Sequence, residues 1–260
     1  MKTINFFIKS IKLRIQEQMM FKANFILMMF TLLSFDLALP LITILIYMHT
    51  NGFPGWSFNE ILLLQGIFML INSIDRMFFQ RVDWSLSYDV RTGMFDRYLL
   101  YPIDTLKYIS FTNFGLEHIA DFLLGLILII YSSVKLGIIF TFDKILIFLI
   151  FLSTALLFIF SIAILKYSII LNAVRIGRLG EFIRTIKNYA QYPNEIYSNF
   201  LGFIFRYLIP LTVLAYIPSK ILIENYKDNL VYTFVIVFIF YVFSIYLWKR
   251  AIKNYTSAGG

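Results

Sequence analysis

Residues 76–107 read RMFFQRVDWSLSYDVRTGMFDRYLLYPIDTLK and form the only long polar interruption in the first two thirds of a very apolar chain. Basic and acidic residues alternate along this stretch, and Trp, Phe and Tyr rings lie between them. A flexible linker lacks such aromatic residues, and a membrane span lacks so many charges. We therefore expect a folded cytoplasmic element that another molecule contacts.

The composition outside this stretch indicates a membrane protein. Of the 260 residues, 60% are hydrophobic and only 15% are charged, whereas about a quarter are charged in soluble domains. Apolar runs of about twenty residues predict an all-α, polytopic protein in a lipid bilayer. The net charge of +8 is explained by Lys and Arg retained on the cytoplasmic side, so we expect no nucleic-acid partner.

Six stretches are long and apolar enough to cross the bilayer, within a transmembrane domain covering residues 23–255. The predicted spans are 23–48, 58–79, 108–139, 145–170, 196–217 and 230–247. Two further segments have basic residues and apolar residues spaced three or four apart, which is typical of helices lying on a membrane surface. They are residues 1–22 and 175–191. For residues 1–22, a segment that merely orients the first span is the alternative.

The distribution of basic residues predicts the orientation. Eighteen of the 23 Lys and Arg residues fall before the first span, in the 76–107 loop, between Lys166 and Lys187, or after the sixth span. Since basic residues favour the cytoplasmic side, both termini should be cytoplasmic.

Motifs for catalysis and cofactor binding are absent from the sequence. It has no G-x-x-x-x-G-K-[ST] phosphate loop, no H-E-x-x-H motif and no cysteine, so we expect a non-catalytic chain that binds no cofactor or metal. Glu117, His118 and Asp121 lie close enough in sequence for a metal or proton site. We favour the simpler interpretation that acidic residues near a helix N-terminus interact with its dipole.

Two charges fall near the middle of predicted spans. Asp36 lies in the first and Arg206 in the fifth, and an unpaired charge in hydrocarbon is costly. We therefore hypothesise that Asp36 and Arg206 pair, within one chain or across a dimer. Alternatively, the fifth span begins later and Arg206 lies at the inner interface.

Three sequence motifs in order carry a family resemblance. Thr92–Pro102, TGMFDRYLLYP, resembles the pattern G-x-(hydrophobic)-(D/E)-x-x-L-L-x-P after the second span of ABC-2 type permeases, which have the type V ABC exporter fold. GWSFNE at Gly55–Glu60, and the series YPNEIY, FRYLIP and YIPSK from Tyr192 onwards, are similar to a bacterial branch often encoded as paired permeases. With the six-span layout, the resemblance covers nearly the whole chain.

The resemblance implies the permease subunit of an exporter in the bacterial cytoplasmic membrane. Such a subunit functions as a homodimer or heterodimer with two copies of a separate ATPase, which binds ATP and Mg. The 76–107 loop would contain a coupling helix that docks on the ATPase, and residues 1–22 would form the connecting helix. The family's re-entrant helices before the last span have room only within residues 211–223.

Within this loop, seven residues are expected to form the ATPase-docking surface. The aromatic side chains would anchor it, the charged ones would orient it, and the glycine would give a sharp turn or a close approach; the residues are Arg91, Gly93, Phe95, Asp96, Arg97, Tyr98 and Tyr101. Alternatively, the aromatic rings form an interfacial belt against lipid.

Two other functions stay open at this point. One is a secondary transporter, although the sequence shows no internal repeat or paired broken helices. The other is a standalone membrane immunity or scaffold protein. The sequence does not indicate the substrate, since a fold does not determine function.

Overall fold

A computed structural model describes residues 2–173, 177–224, 226 and 230–257. Every regular element in these ranges is helical, which confirms the all-α prediction. The α-helices are α1 (Lys2–Met20), α2 (Lys22–His49), α3 (Phe58–Asp75), α4 (Arg81–Arg91), α5 (Asp96–Leu99), α6 (Thr105–Thr112), α7 (Ile119–Lys135), α8 (Phe142–Ala173), α9 (Gly177–Asn188), α10 (Asn199–Phe203), α11 (Tyr216–Ile223) and α12 (Leu230–Lys253). Shorter π and 3-10 turns are Arg76–Gln80, Tyr189–Gln191, Asn194–Ile196, Ile204–Leu208 and Leu211–Val213.

Four helical stretches in the described ranges are long and apolar enough to cross a membrane. They are α2, the continuous stretch from α3 through α4, α8 and α12. These stretches correspond to the first, second, fourth and sixth predicted spans. The predicted count of six is not reproduced, because the third and fifth predicted spans are interrupted.

The third predicted span, 108–139, is divided into α6 and α7. The residues between α6 and α7 form hydrogen bonds to neighbouring parts of the chain and do not continue the backbone hydrogen bonds of a helix. The Gly115 amide donates to the Met77 carbonyl at 2.9 Å, and Arg81 Nη1 donates to Glu117 Oε1 at 2.5 Å. These contacts fix α6 and α7 against the junction of α3 with α4.

The fifth predicted span, 196–217, consists of short helical pieces. Pro210 lies between the π turn Ile204–Leu208 and the 3-10 turn Leu211–Val213, and proline cannot donate the backbone hydrogen bond that a continuous helix requires. The following helix, α11, lies where α3 begins, with the Tyr216 and Trp56 rings 5.7 Å apart. Short helices therefore precede α12 in the stretch where the family resemblance leaves room for them.

The second predicted span is longer than expected. After the π turn Arg76–Gln80 the helix continues as α4 to Arg91, so residues 76–91 are helical and not part of a loop. Val82, Leu86 and Val90 are buried at spacings of four residues, and this apolar face packs against α8. The irregular connection is confined to residues 92–104, which we call the 92–104 segment.

Side chains cap two of the helices at their first residues. The Ser57 amide donates to Glu60 Oε2 at 2.6 Å at the beginning of α3, as a capping box requires. Asp104 Oδ1 accepts from the Lys107 amide at 3.0 Å at the beginning of α6. Both caps lie next to chain reversals, so they fix where the helices begin.

The two amphipathic helices are both formed. In α1, Arg14 Nε donates to the Thr112 carbonyl at 2.5 Å, which attaches this helix to α6. In α9, Leu179 and Phe182 are exposed, whereas Lys187 is buried and pairs with Asp75. Of the basic residues of α9, Lys187 thus faces α3, whereas Arg178 and Arg184 are exposed. Residues 175 and 176 of the predicted segment lie outside the described ranges.

The close packing of α3 against α7 depends on glycine. A Cβ at Gly66 would lie 2.9 Å from Leu128 Cβ, and one at Gly125 would lie 2.8 Å from the Leu70 amide nitrogen. Small residues facing each other let helix backbones approach in membranes. The two helices therefore form a tight pair beside which α2 and α8 pack.

Candidate functional site

The 92–104 segment begins with a sharp turn after α4. Gly93 has φ +73°, a left-handed conformation that glycine adopts without the penalty of a side chain. The Phe95 amide then donates to the Asp89 carbonyl at 3.1 Å. An added Cβ at Gly93 would only approach Ser257 Oγ to 3.8 Å, so the turn conformation, and not a close approach, requires glycine here.

Phe95 lies beneath the segment and not on its surface. Its side chain is 0% exposed and belongs to a buried cluster with Tyr167 and Trp248, and its ring is 4.9 Å from that of Tyr255. Phe95 was expected to be a docking anchor; its side chain lies inside this subunit, where it offers no surface to a partner. The ring is apolar and the core between α8 and α12 accepts it, so it attaches the segment to those helices.

Two other predicted docking residues are engaged within the chain. Tyr98 Oη donates to Asp89 Oδ2 at 2.6 Å; burial raises the pKa of Tyr98, and the bond to the Asp89 carboxylate raises it further. Asp96 Oδ2 accepts from Ser257 Oγ at 2.6 Å. Both side chains therefore hold the segment in shape, which leaves them less available to a partner.

The outward surface of the segment is apolar with basic neighbours. Leu100 is 83% exposed, and Leu99 and Tyr101 are also exposed. Tyr101 stacks on Tyr108 with ring centroids 4.7 Å apart. Of the seven predicted docking residues, Arg91, Arg97 and Tyr101 are exposed; Leu100 was missed, although its position in the sequence LLYP, outside any predicted span, was a signal.

A cluster of charges joins α2, α3 and α7. Arg76 Nη1 donates to Asp36 Oδ2 at 2.6 Å and lies 3.9 Å from Asp121 Oδ2. His118 Nδ1 lies 2.6 Å from the same Asp121 oxygen. Within the described chain the partner of Asp36 is thus Arg76 and not Arg206, which lies over the Tyr216 ring at 5.8 Å.

This cluster also bears on the metal site considered from the sequence. One ligand atom each from Asp36, His118 and Asp121 lie within 4.8 Å of one another. Glu117 is not among them, because it pairs with Arg81. Arg76 already provides a positive charge to both carboxylates, so the geometry is that of a network of ion pairs and hydrogen bonds between helices.

A cavity of about 600 Å³ lies between α4, α8 and α9. Two ion pairs lie in its lining: Lys166 Nζ lies 2.5 Å from Asp83 Oδ2, and Lys187 pairs with Asp75. These four side chains are mostly buried, and burying a charge requires a partner. The pairs therefore hold α9 and α8 against the α3–α4 stretch, and sequence reasoning found neither pair because the partners are far apart in the chain.

The fold and the long apolar helices define a multi-pass membrane protein. The family model described as ABC-2 family transporter protein matches residues 19–259, and the chain belongs to this family. The resemblance found in the sequence motifs is thereby confirmed. No curated protein matches the chain.

Proposed function

We propose that the protein is the non-catalytic permease subunit of an ATP-driven exporter in a bacterial cytoplasmic membrane. It would function as a dimer, with two copies of a separate ATPase that binds ATP and Mg. Membership of the ABC-2 transporter family supports a permease subunit. The sequence has no phosphate loop of its own, so the energy source would be a partner.

One observation carries the proposal: the 92–104 segment is apolar on its outer side and anchored from its inner side. Leu100 is exposed at its tip, while Phe95 is buried in the core between α8 and α12. An exposed apolar tip with basic neighbours is the composition of a protein-binding surface. Because Phe95 links the segment to two long helices, a force on the tip would reach the transmembrane bundle.

Transport would then follow from movement of the bound ATPase. Closure of the two ATPase copies on ATP would displace the 92–104 segment, and the attached helices would move as near-rigid bodies between inward-facing and outward-facing states. The Asp36–Arg76 pair and the buried pairs at Asp75 and Asp83 keep the helices of one subunit together during that movement.

The interrupted helices favour a second candidate, a secondary transporter, because such transporters bind ions at broken helices. In those proteins the breaks meet at one site near the membrane midplane. Here the break between α6 and α7 contacts Arg81, beyond the end of α3. The break in the fifth predicted span lies near Trp56, just before α3 begins. Breaks at opposite ends of α3 support the exporter over this alternative.

Co-purification tests the proposed function. The protein is expressed together with the ABC ATPase encoded nearest to it and reconstituted in lipid nanodiscs, and the mass of the complex is measured. An exporter subunit yields a complex of two permease and two ATPase chains whose hydrolysis depends on the permease. If the permease purifies without the ATPase even when the two are expressed together, the proposal is contradicted.

A further inference from the structure

The cavity between α4, α8 and α9 has features that the proposed function leaves unexplained. Its apolar wall includes Ile159, Ile162 and Ile183. Its rim includes Trp84, which is largely exposed, and Tyr88, over whose ring the Arg91 guanidinium lies at 5.9 Å. An apolar wall beneath aromatic and basic groups is the arrangement that suits an amphiphile.

Some of the charged side chains around the cavity are paired with each other, and others are not. Lys166 is neutralised by Asp83 and Lys187 by Asp75, so these four groups need no ligand. The remaining charged side chains at the cavity are two arginines, Arg91 and Arg184, and one glutamate, Glu181. Among the described residues, no carboxylate lies within 4.0 Å of either guanidinium.

We infer that this cavity binds an anionic amphiphile, with the negative headgroup at Arg91 and Arg184 and the apolar chain along the isoleucine wall. Arginine matches carboxylate and phosphate oxygens through two parallel hydrogen bonds. The inference deepens the proposed function, on which it rests, by assigning a substrate class. The headgroup chemistry fits either a bilayer phospholipid or a free fatty acid.

The course of α9 makes the cavity accessible to such a molecule. Leu179 and Phe182 are exposed, and so are Glu181 and Arg184 at the rim of the cavity, whereas the half-buried Ile183 and the buried Lys187 line it further in. Exposed apolar side chains next to exposed charged ones are typical of a helix that lies at the membrane surface. An amphiphile therefore reaches the rim directly from the bilayer.

Trp84 provides a local reporter for the test. The protein is placed in phosphatidylcholine nanodiscs that contain brominated phosphatidylglycerol, brominated dodecanoate or, for comparison, brominated phosphatidylcholine. Bromine quenches tryptophan on contact, and subtracting the signal of Trp84→Phe isolates Trp84 from Trp56 and Trp248. We expect at least one anionic probe to quench Trp84 at a roughly five-fold lower mole fraction than the neutral lipid, and the more effective probe identifies the source.

Four variants, one of them a control, decide whether Arg184 is responsible. Arg184→Gln removes the preference for the anionic probe, while Arg184→Lys retains most of it. Glu181→Gln increases the preference, because it removes a negative charge that has no basic group within 4.0 Å among the described residues. Lys12→Gln removes an equally positive, exposed residue from α1 and leaves the preference unchanged.

Equal quenching by all three probes would overturn the inference, as would an unchanged preference in Arg184→Gln. The measurement needs neither ATP nor a partner. The cavity inference can therefore be wrong while the ATPase complex forms normally, and it can be right even if no ATPase binds. The two proposals are thus tested separately.

Discussion

The rings of Phe95 and Tyr255 lie 4.9 Å apart, at an interplanar angle of 71°. Phe95 comes from the turn after α4, and Tyr255 follows the end of α12. This contact joins the 92–104 segment, which connects α4 to α6, to the end of α12. It is the structural basis for treating the 92–104 segment and α12 as one unit.

We predict that Phe95→Ala lowers the free energy of unfolding by about 3–5 kcal/mol, the range for removing a buried Phe ring. The measurement is thermal or denaturant unfolding of the protein in detergent. Phe142→Ala is the matched control, because Phe142 is exposed and its loss leaves no cavity. Equal stability of the two variants would show that Phe95 does not anchor the segment.

The Asp36–Arg76 pair predicts non-additive changes in stability. Asp36→Asn and Arg76→Gln should each cost about 2 kcal/mol, less than the 3–5 kcal/mol typical of a fully buried pair, because both side chains are partly exposed. The double variant should lose less than the sum. A second double-variant cycle combines Asp36→Asn with Arg206→Gln and tests the hypothesis that these two residues pair across a dimer. If they pair neither within one chain nor across the dimer, their effects on the unfolding free energy should add.

The conformation of Gly93 predicts a residue-specific cost. Gly93→Ala should lower the unfolding free energy by about 1–2 kcal/mol, because alanine is strained at φ +73°. Gly93→Asn should cost less, since asparagine tolerates this region better. If alanine and asparagine had the same effect, the cost would come from something other than the backbone angle.

The orientation of the chain stays a prediction that labelling can test. The protein has no cysteine, so single cysteines at Asn51 and Thr92 can be labelled selectively; both positions are exposed. The α3–α4 stretch separates them, and the distribution of basic residues places Thr92 in the cytoplasm. An impermeant maleimide should label Asn51→Cys in intact cells and not Thr92→Cys, and the reverse pattern would contradict the predicted orientation.

The sequence was sufficient for the features that depend on local pattern. The helical class and the long apolar helices α2, α8 and α12 follow from the length and composition of the apolar runs alone. Three motifs in order, including the one at residues 92–102, also indicated the family, which the family model confirms.

The sequence did not determine features that depend on tertiary contacts. Hydropathy alone made 108–139 look continuous, because the apolar run outweighs the few polar residues that break the helix between α6 and α7. An aromatic residue in a polar stretch looks exposed, but Phe95 is buried since α8 and α12 provide a core for it. Ion pairs such as Lys166–Asp83 join residues far apart in the chain, and residue spacing cannot reveal such pairs.

The most direct test of the central claim compares two exposed residues of similar size, one before α6 and one after α7. Leu100 is 83% exposed on the 92–104 segment, and Ile139 is 77% exposed in the turn after α7. Both Leu100→Asp and Ile139→Asp place a negative charge on an exposed apolar position, so any general effect on membrane insertion is shared. The measurement is the affinity for the ABC ATPase and the hydrolysis rate of the complex in nanodiscs.

We predict that Leu100→Asp weakens ATPase binding by ~30-fold or more, equivalent to about 2 kcal/mol for an anchor residue, while Ile139→Asp binds like the unchanged protein. Full binding and hydrolysis by Leu100→Asp would contradict the account, because the 92–104 segment would then not be the docking surface.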